Sequence, residues 1–304
     1  PGWSTREACA PPLIRTFVLP LVACVAFMGD DVAGAAPVSR DDPEGAESNQ
    51  RTISSAAGLA VVVTAHPLAT VAAHTMLMKG GSAVDALVAA QSVLAVVEPQ
   101  SSGLGGGGFL LHWKAQQRQL DVLDGREQAP SASQPDDLLK PDGQPLPWRE
   151  ATSQLRAIGI PGTVALLWDA HQRWGRLPWT TTFQPAIKLA RKGFRTTPRL
   201  LRSISLAQRI GTRHSPEFDQ LYRPGGELPR LNEVFRNPAL GDTLEQIARD
   251  GGSSFYDGAL AARILKGIAE LGSKERAFHG WAAADLKNYT VIRRHPVCHP
   301  IQRW

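Results

Sequence analysis

A helical spacing of hydrophobic and polar residues runs through most of the chain. The first predicted helix begins at Pro67, presents a broad apolar face and ends at the glycine pair 80–81. The second covers residues 83 to about 97, with Ser82 as its N-cap and Asp85 in the capping-box position. Because this second helix is apolar on nearly every face, we expect it to be buried on all sides.

The rest of the pattern is also mainly helical, with a few short strands. Further helices are predicted at residues 163–174, 183–192, 198–210, 240–249 and 259–271. A hairpin is predicted from strands at 109–113 and 120–123, a buried strand at 58–64, and another strand beginning within 289–294. Residues 131–150 are rich in Pro and Asp and are typical of a surface loop, and residues 285–288 of a turn.

Residues 1–36 have the pattern of a secretory signal peptide. Arg15 precedes a mainly apolar stretch from Phe17 to Met28, and small residues follow at 33–36. A short hydrophobic helix is the alternative interpretation. A signal peptide predicts a periplasmic or secreted protein.

Residues 21–24 also resemble a lipoprotein cleavage box. The residues after Cys24 are still apolar where a polar tether would be expected, so lipid anchoring at Cys24 is the less favoured expectation. Residues 37–56 include an acidic stretch and are predicted to be a solvated linker. A single domain is predicted over 57–297.

Composition narrows the class of protein. The 304 residues are 43% hydrophobic and 20% charged, which excludes a wholly disordered chain. The net charge of +5 is spread along the chain and is not clustered among aromatic residues, so no nucleic-acid partner is predicted. The three cysteines lack metal-ligand spacing, and we expect neither a metal site nor a cofactor.

A cluster of glycines, at 103 and 105–108, precedes the predicted hairpin. A phosphate-binding glycine loop leads into a helix and commonly has a lysine nearby, whereas this loop leads into a strand. We therefore expect the glycines to permit close backbone packing or positive φ angles, or to form a loop beside a substrate site.

Arg126 is the most promising binding residue. It follows Gly125 at the end of the predicted hairpin, in a loop. A guanidinium in that position can bind a carboxylate through two parallel hydrogen bonds. Taken alone, however, a surface ion pair with Glu127 or Asp124 is the favoured interpretation of Arg126.

Several blocks of sequence, in order along the chain, carry a family resemblance. The three longest are Lys79–Ala90 (KGGSAVDALVAA), Val97–Leu111 (VEPQSSGLGGGGFLL) and Leu123–Pro130 (LDGREQAP). Shorter ones are Gly159–Gly162, Trp174–Trp179, Pro185–Ala190, Gly252–Asp257 and Asp285–Tyr289. Together these blocks closely resemble the γ-glutamyltransferase (glutathione hydrolase) family.

The resemblance implies an α+β fold, the αββα sandwich of N-terminal-nucleophile hydrolases, present here as an incomplete, helix-rich large-subunit part with a partial sheet. It implies a precursor that cleaves itself into a large and a small subunit. The new N-terminal Thr of the small subunit then takes the γ-glutamyl group from glutathione, or another γ-glutamyl compound, and passes it to water or an amine. Within this scheme Arg126 would hold the α-carboxylate of the γ-glutamyl group.

The resemblance ends after Val297. Residues 298–304 form a divergent tail, and the expected nucleophile motif does not occur before it. Thr180–Thr182 is excluded as the nucleophile, because the family has no cleavage site there. We therefore expect no catalytic residue in this chain, which would be inactive without its small subunit. The alternatives are an inactive truncated remnant and a related acylase, such as a cephalosporin acylase.

Overall fold

The computed structural model describes residues 60–209, 216–273, 278 and 280–299. The predicted signal peptide, Cys24, the predicted linker and the tail beyond His299 lie outside the described residues. The described residues fall into two units, one containing 60–111 and 122–294 and the other 112–121 and 295–299. In the smaller unit, Lys114 Nζ pairs with Asp121 Oδ2 at 2.8 Å across the hairpin.

The larger unit is dominated by helices. The α-helices are α1 (Pro67–Met78), α2 (Ala83–Val97), α3 (Pro99–Ser102), α4 (Trp148–Ala151), α5 (Thr163–Trp174), α6 (Trp179–Lys192), α7 (Pro198–Arg209), α8 (Pro216–Tyr222), α9 (Pro238–Asp250), α10 (Ala259–Gly272) and α11 (Ala283–Lys287). Short 3-10 helices are found at Leu155–Ala157, Pro224–Gly226 and Gly252–Phe255.

The strands form two small antiparallel sheets. They are β1 (Gly108–Lys114), β2 (Gln119–Gly125), β3 (Phe194–Arg195), β4 (Val234–Phe235) and β5 (Ile292–Arg294). The larger sheet has the order β1-β2-β5, with Asp124 opposite Ile292, and β3 pairs with β4. The predicted hairpin is thus confirmed.

Helix α2 lies at the centre of the core. Its start is fixed by the predicted capping box, in which Asp85 N donates to Ser82 Oγ (3.2 Å) and Ser82 N donates to Asp85 Oδ2 (2.6 Å). Most of its side chains are buried, as predicted, and it packs against α1 and α6. Helix α6 also packs against α9, where Trp179 Nε1 donates to Ile247 O at 3.0 Å.

Three local predictions were wrong. Residues 60–64 are not in a strand, and Val61 and Val63 are 70% and 88% exposed, because neither sheet of the described residues includes this segment. Residues 285–288 lie largely in α11, whose first turn is capped by Asp285 Oδ2 accepting from Ala282 N at 2.8 Å. Helix α6 begins four residues earlier than predicted and contains Pro185 in its interior.

Among the described helices, none combines the length and the apolar character that a membrane span requires.

Candidate functional site

Arg126 lies in the loop that directly follows β2. Its side chain is 58% exposed, and Nε lies 3.4 Å from Oε2 of Glu127. The pairing with Glu127 is the one that the surface interpretation expected, but the exposed guanidinium also remains accessible to a ligand carboxylate. The binding role of Arg126 therefore stays a prediction.

The backbone of Arg126 is held on both sides. Its N–H donates to Oδ1 of Asp124 at 3.0 Å, and its carbonyl oxygen accepts from the hydroxyl of Tyr289 at 2.7 Å. Asp124 is itself paired with Arg294, whose Nε lies 2.9 Å from Oδ2. The Arg126 N–H, and then the Arg294 guanidinium, lower the pKa of the Asp124 carboxyl below its usual value, so it is an anion at neutral pH.

Two stacked tyrosines connect this loop to the start of α5. The rings of Tyr289 and Tyr256 lie 5.4 Å apart with an angle of 16° between their planes. The Tyr256 hydroxyl donates to Pro161 O (2.9 Å) and accepts from Ala165 N (3.0 Å). Burial, with the charges of nearby carboxylates, raises the pKa of Tyr289 to about 12, so its hydroxyl is a hydrogen-bond donor at neutral pH.

Glycines allow these segments to pack closely. A Cβ on Gly162 would overlap both Gly125 O and the Tyr289 hydroxyl, and one on Gly107 would lie 2.5 Å from Gly125 O. A Cβ on Gly125 would lie 2.6 Å from Cβ of Leu166 in α5. Since real Cβ atoms do not approach other atoms so closely, all three positions require glycine.

The glycine cluster at 103–108 follows the packing interpretation. None of its glycines has a positive φ, and Gly106 O accepts from Gly162 N (2.9 Å) and Thr163 N (3.0 Å). The cluster leads into β1, as predicted, and lies against the loop that carries Arg126. The glycine cluster therefore forms the surface that packs against the Arg126 loop.

A cavity of about 550 Å³ adjoins the tyrosine pair. Its walls include Trp168, Tyr256 and Tyr289, and the pair formed by Asp257 and Lys287 (3.1 Å) also lines it. Tyr289 thus lines the cavity and also holds the Arg126 loop through its hydroxyl.

The described residues do not cluster three or more metal-type ligands at any point. Thr182, in the tract that could suggest a nucleophile, is fully buried in α6 and donates its hydroxyl hydrogen to Trp179 O at 2.7 Å. Arg126, whose backbone is fixed and whose guanidinium is exposed, can bind an anion.

One face of strand β1 is apolar and uncovered. Phe109 and Leu111 are 61% and 64% exposed, whereas Leu110 between them is buried. β1 is also at the edge of its sheet within the described residues. An exposed edge strand with an apolar face is typical of a surface that another polypeptide covers.

Sequence reasoning missed the supports of Arg126, namely Tyr289, Arg294 and Gly162. Tyr289 and Gly162 lie in blocks that carried the family resemblance, but no role was assigned to them. Tyr289 is 163 positions from Arg126 along the chain, so spacing gave no sign of their contact.

Comparison with known proteins finds similarity to one family at the level of sequence and of structure. A family model described as gamma-glutamyltranspeptidase matches residues 69–303, which extends beyond Val297, the last residue of the resemblance seen in the sequence. The glutathione hydrolase proenzyme of Bacillus subtilis (strain 168) is 33% identical over 237 residues, which are 78% of this chain but only 39% of that protein. The chain thus spans about two fifths of the length of this curated relative.

Two solved structures are similar in fold as well as in sequence. The gamma-glutamyltranspeptidase from Pseudomonas nitroreducens, complexed with L-DON, is 32% identical to this chain, with a TM-score of 0.70. The match covers 80% of this chain and 68% of that chain. The Helicobacter pylori gamma-glutamyltranspeptidase is 29% identical to this chain, with a TM-score of 0.75. The match covers 82% of this chain and 69% of that chain. The predicted α+β fold class, that of an incomplete N-terminal-nucleophile hydrolase, is confirmed.

Proposed function

The chain belongs to the γ-glutamyltranspeptidase family, and we propose that it is the large-subunit part of a glutathione hydrolase that cleaves γ-glutamyl amides. The observation that carries the proposal is the placement of Arg126, whose backbone is fixed while its guanidinium stays accessible. The substrate is glutathione or another γ-glutamyl compound.

Arg126 binds the α-carboxylate of the γ-glutamyl group. The planar guanidinium offers two parallel N–H donors, which match the two oxygens of a carboxylate. Its pairing with Glu127 is long, at 3.4 Å, and the Arg126 side chain is 58% exposed, so a substrate carboxylate can compete for the guanidinium.

The bond-breaking residue belongs to the small subunit. Its N-terminal Thr hydroxyl attacks the γ-carbonyl carbon, and its own α-amino group accepts the hydroxyl proton. The proton passes to the departing amine as the C–N bond breaks, leaving an acyl-enzyme ester. Water or an acceptor amine then releases the glutamyl group, and no cofactor takes part.

The small subunit covers the exposed face of β1. Phe109 and Leu111 provide the apolar contact, and β1 lies at the edge of its sheet within the described residues. The active protein is therefore a heterodimer of the two parts of one precursor. We further propose export to the periplasm or the exterior through the signal peptide at 1–36, without lipid anchoring at Cys24.

We expect Arg126→Ala to lower kcat/KM for γ-glutamyl-p-nitroanilide by about 10²-fold, mainly through KM, because two hydrogen bonds to a charged group are lost. Arg126→Lys keeps the charge but not the planar fork, and we expect it to recover only part of the loss. The measurement is steady-state hydrolysis by the protein assembled from this chain and its small subunit.

Arg118→Ala, in the turn between β1 and β2, is the matched control and should leave kcat/KM unchanged. Unaltered kinetics in Arg126→Ala would remove the assigned role. An assembled protein with no turnover would indicate the inactive remnant, and one that prefers cephalosporin side-chain amides would indicate the acylase.

A further inference from the structure

We infer that Tyr289 is a positioning residue for substrate recognition, because its hydroxyl fixes the carbonyl of Arg126 and thereby sets the direction of the guanidinium. The inference rests on the proposed function of Arg126. It assigns to Tyr289 a role in selecting donors that carry an α-carboxylate.

Backbone hydrogen bonds, and not side-chain packing alone, orient Arg126. Its side chain is 58% exposed and makes a long ion pair with Glu127, so packing alone does not define its direction. The two peptide groups that flank its Cα are each anchored instead, one through the N–H to Asp124 and one through the carbonyl to Tyr289. Those two bonds fix the Cα–Cβ direction from which the guanidinium extends.

Tyr289 is itself held rigidly. Its ring stacks on Tyr256, whose hydroxyl is bonded to Pro161 O and Ala165 N at the start of α5. Gly162 leaves only enough room for the Tyr289 hydroxyl, since any Cβ there would overlap it. The hydroxyl therefore cannot shift without disturbing α5, and it transmits the position of that helix to Arg126.

Loss of the Tyr289 hydroxyl changes the position of Arg126 more than it changes stability. The Tyr289 hydroxyl is one donor to a partly exposed loop, and in Tyr289→Phe water can replace it at the Arg126 carbonyl. The phenylalanine ring keeps the stack on Tyr256 and the fold. What changes is the freedom of the Arg126 backbone, and with it the alignment of the guanidinium with a carboxylate.

The test compares two donors on the protein assembled from this chain and its small subunit. One donor is γ-glutamyl-p-nitroanilide, and the other is 4-aminobutyryl-p-nitroanilide, which has hydrogen in place of the α-carboxylate. We expect Tyr289→Phe to raise KM for the γ-glutamyl donor about tenfold, with kcat within about twofold of wild type. Its kinetics with the 4-aminobutyryl donor should be unchanged.

Tyr222→Phe is the matched control, because it is the same chemical change at a tyrosine of α8 whose ring stacks on Phe235 and not on the residues that hold Arg126. We expect it to leave the ratio of kcat/KM between the two donors unchanged.

Three other outcomes are distinguishable. If Tyr289→Phe impairs both donors equally, its role is structural and the inference is wrong. If it changes neither donor while Arg126→Ala loses the preference for the γ-glutamyl donor, the proposed function stands and the inference falls. If Arg126→Ala keeps that preference, the proposed function fails and the inference fails with it.

Discussion

Replacing Asp85 with alanine is expected to lower the free energy of unfolding by about 3–5 kcal/mol, because several backbone N–H groups would lose a shared acceptor. Asp85 is fully buried at the start of α2. Its carboxylate accepts hydrogen bonds from the backbone N–H groups of Ser82 (2.6 Å), Arg176 (3.0 Å) and Leu177 (3.3 Å).

These bonds join two distant parts of the fold. Ser82 belongs to the cap of α2, whereas Arg176 and Leu177 form the connection from α5 to α6. The ring of His171 also lies beside the carboxylate, with Nε2 3.3 Å from Oδ1. Alanine would leave these three part-buried N–H groups without that acceptor, and an unsatisfied donor costs about 1–3 kcal/mol when it is fully buried.

Urea denaturation followed by tryptophan fluorescence measures the effect. Asp142→Ala is the control, because that carboxylate accepts from Gln144 N at 3.0 Å in an exposed loop and should change stability by less than about 1 kcal/mol. A loss of under about 1 kcal/mol in Asp85→Ala would show that the network does not hold α2 to the α5–α6 connection.

Gly162→Ala is expected to lower the free energy of unfolding by about 3 kcal/mol or more, at the upper end of the effects of overpacking. The effect is large because the new methyl group meets backbone and not only a flexible side chain. Gly162 has φ −114° and ψ −16°, a conformation open to alanine, so only the contacts demand glycine. The methyl group would overlap Gly125 O and the Tyr289 hydroxyl, and would separate the Arg126 loop from α5.

Gly267→Ala in α10 is the matched control for the same chemical change. A Cβ there meets no atom within 4 Å, so alanine should stabilise the helix by up to about 1 kcal/mol. Thermal unfolding of both variants gives the comparison. Equal stability of Gly162→Ala and wild type would mean that the contact between Gly125 and α5 is looser than described.

Sequence reasoning succeeded where the determining signals are local. The bounds of α2 and α5 follow from their hydrophobic spacing and from residues next to their ends, and the structure places both helices at 83–97 and 163–174. Arg126 was found because it follows a strand and a glycine, features that lie within a few residues of it.

The failures have a common physical origin in long-range contacts. The segment 58–64 has the apolar residues of a buried strand, but a strand also needs a neighbour to accept its hydrogen bonds, and the pattern cannot supply one. The link between Tyr289 and Arg126 joins residues far apart in the chain. The requirement for glycine at 162 arises from Gly125 and Tyr289 and not from its own backbone conformation.

The carboxylate-binding role of Arg126 can be tested directly by asking whether its guanidinium contacts an α-carboxylate. L-glutamate and 4-aminobutyrate, which lacks that carboxylate, are titrated separately into the assembled protein carrying ¹⁵Nε-labelled arginine, and the Arg126 resonance is assigned with Arg126→Lys. We predict a saturable shift of the Arg126 Nε–H resonance with L-glutamate and none with 4-aminobutyrate. A resonance that stays unmoved at saturating L-glutamate, or that responds equally to both compounds, would contradict it.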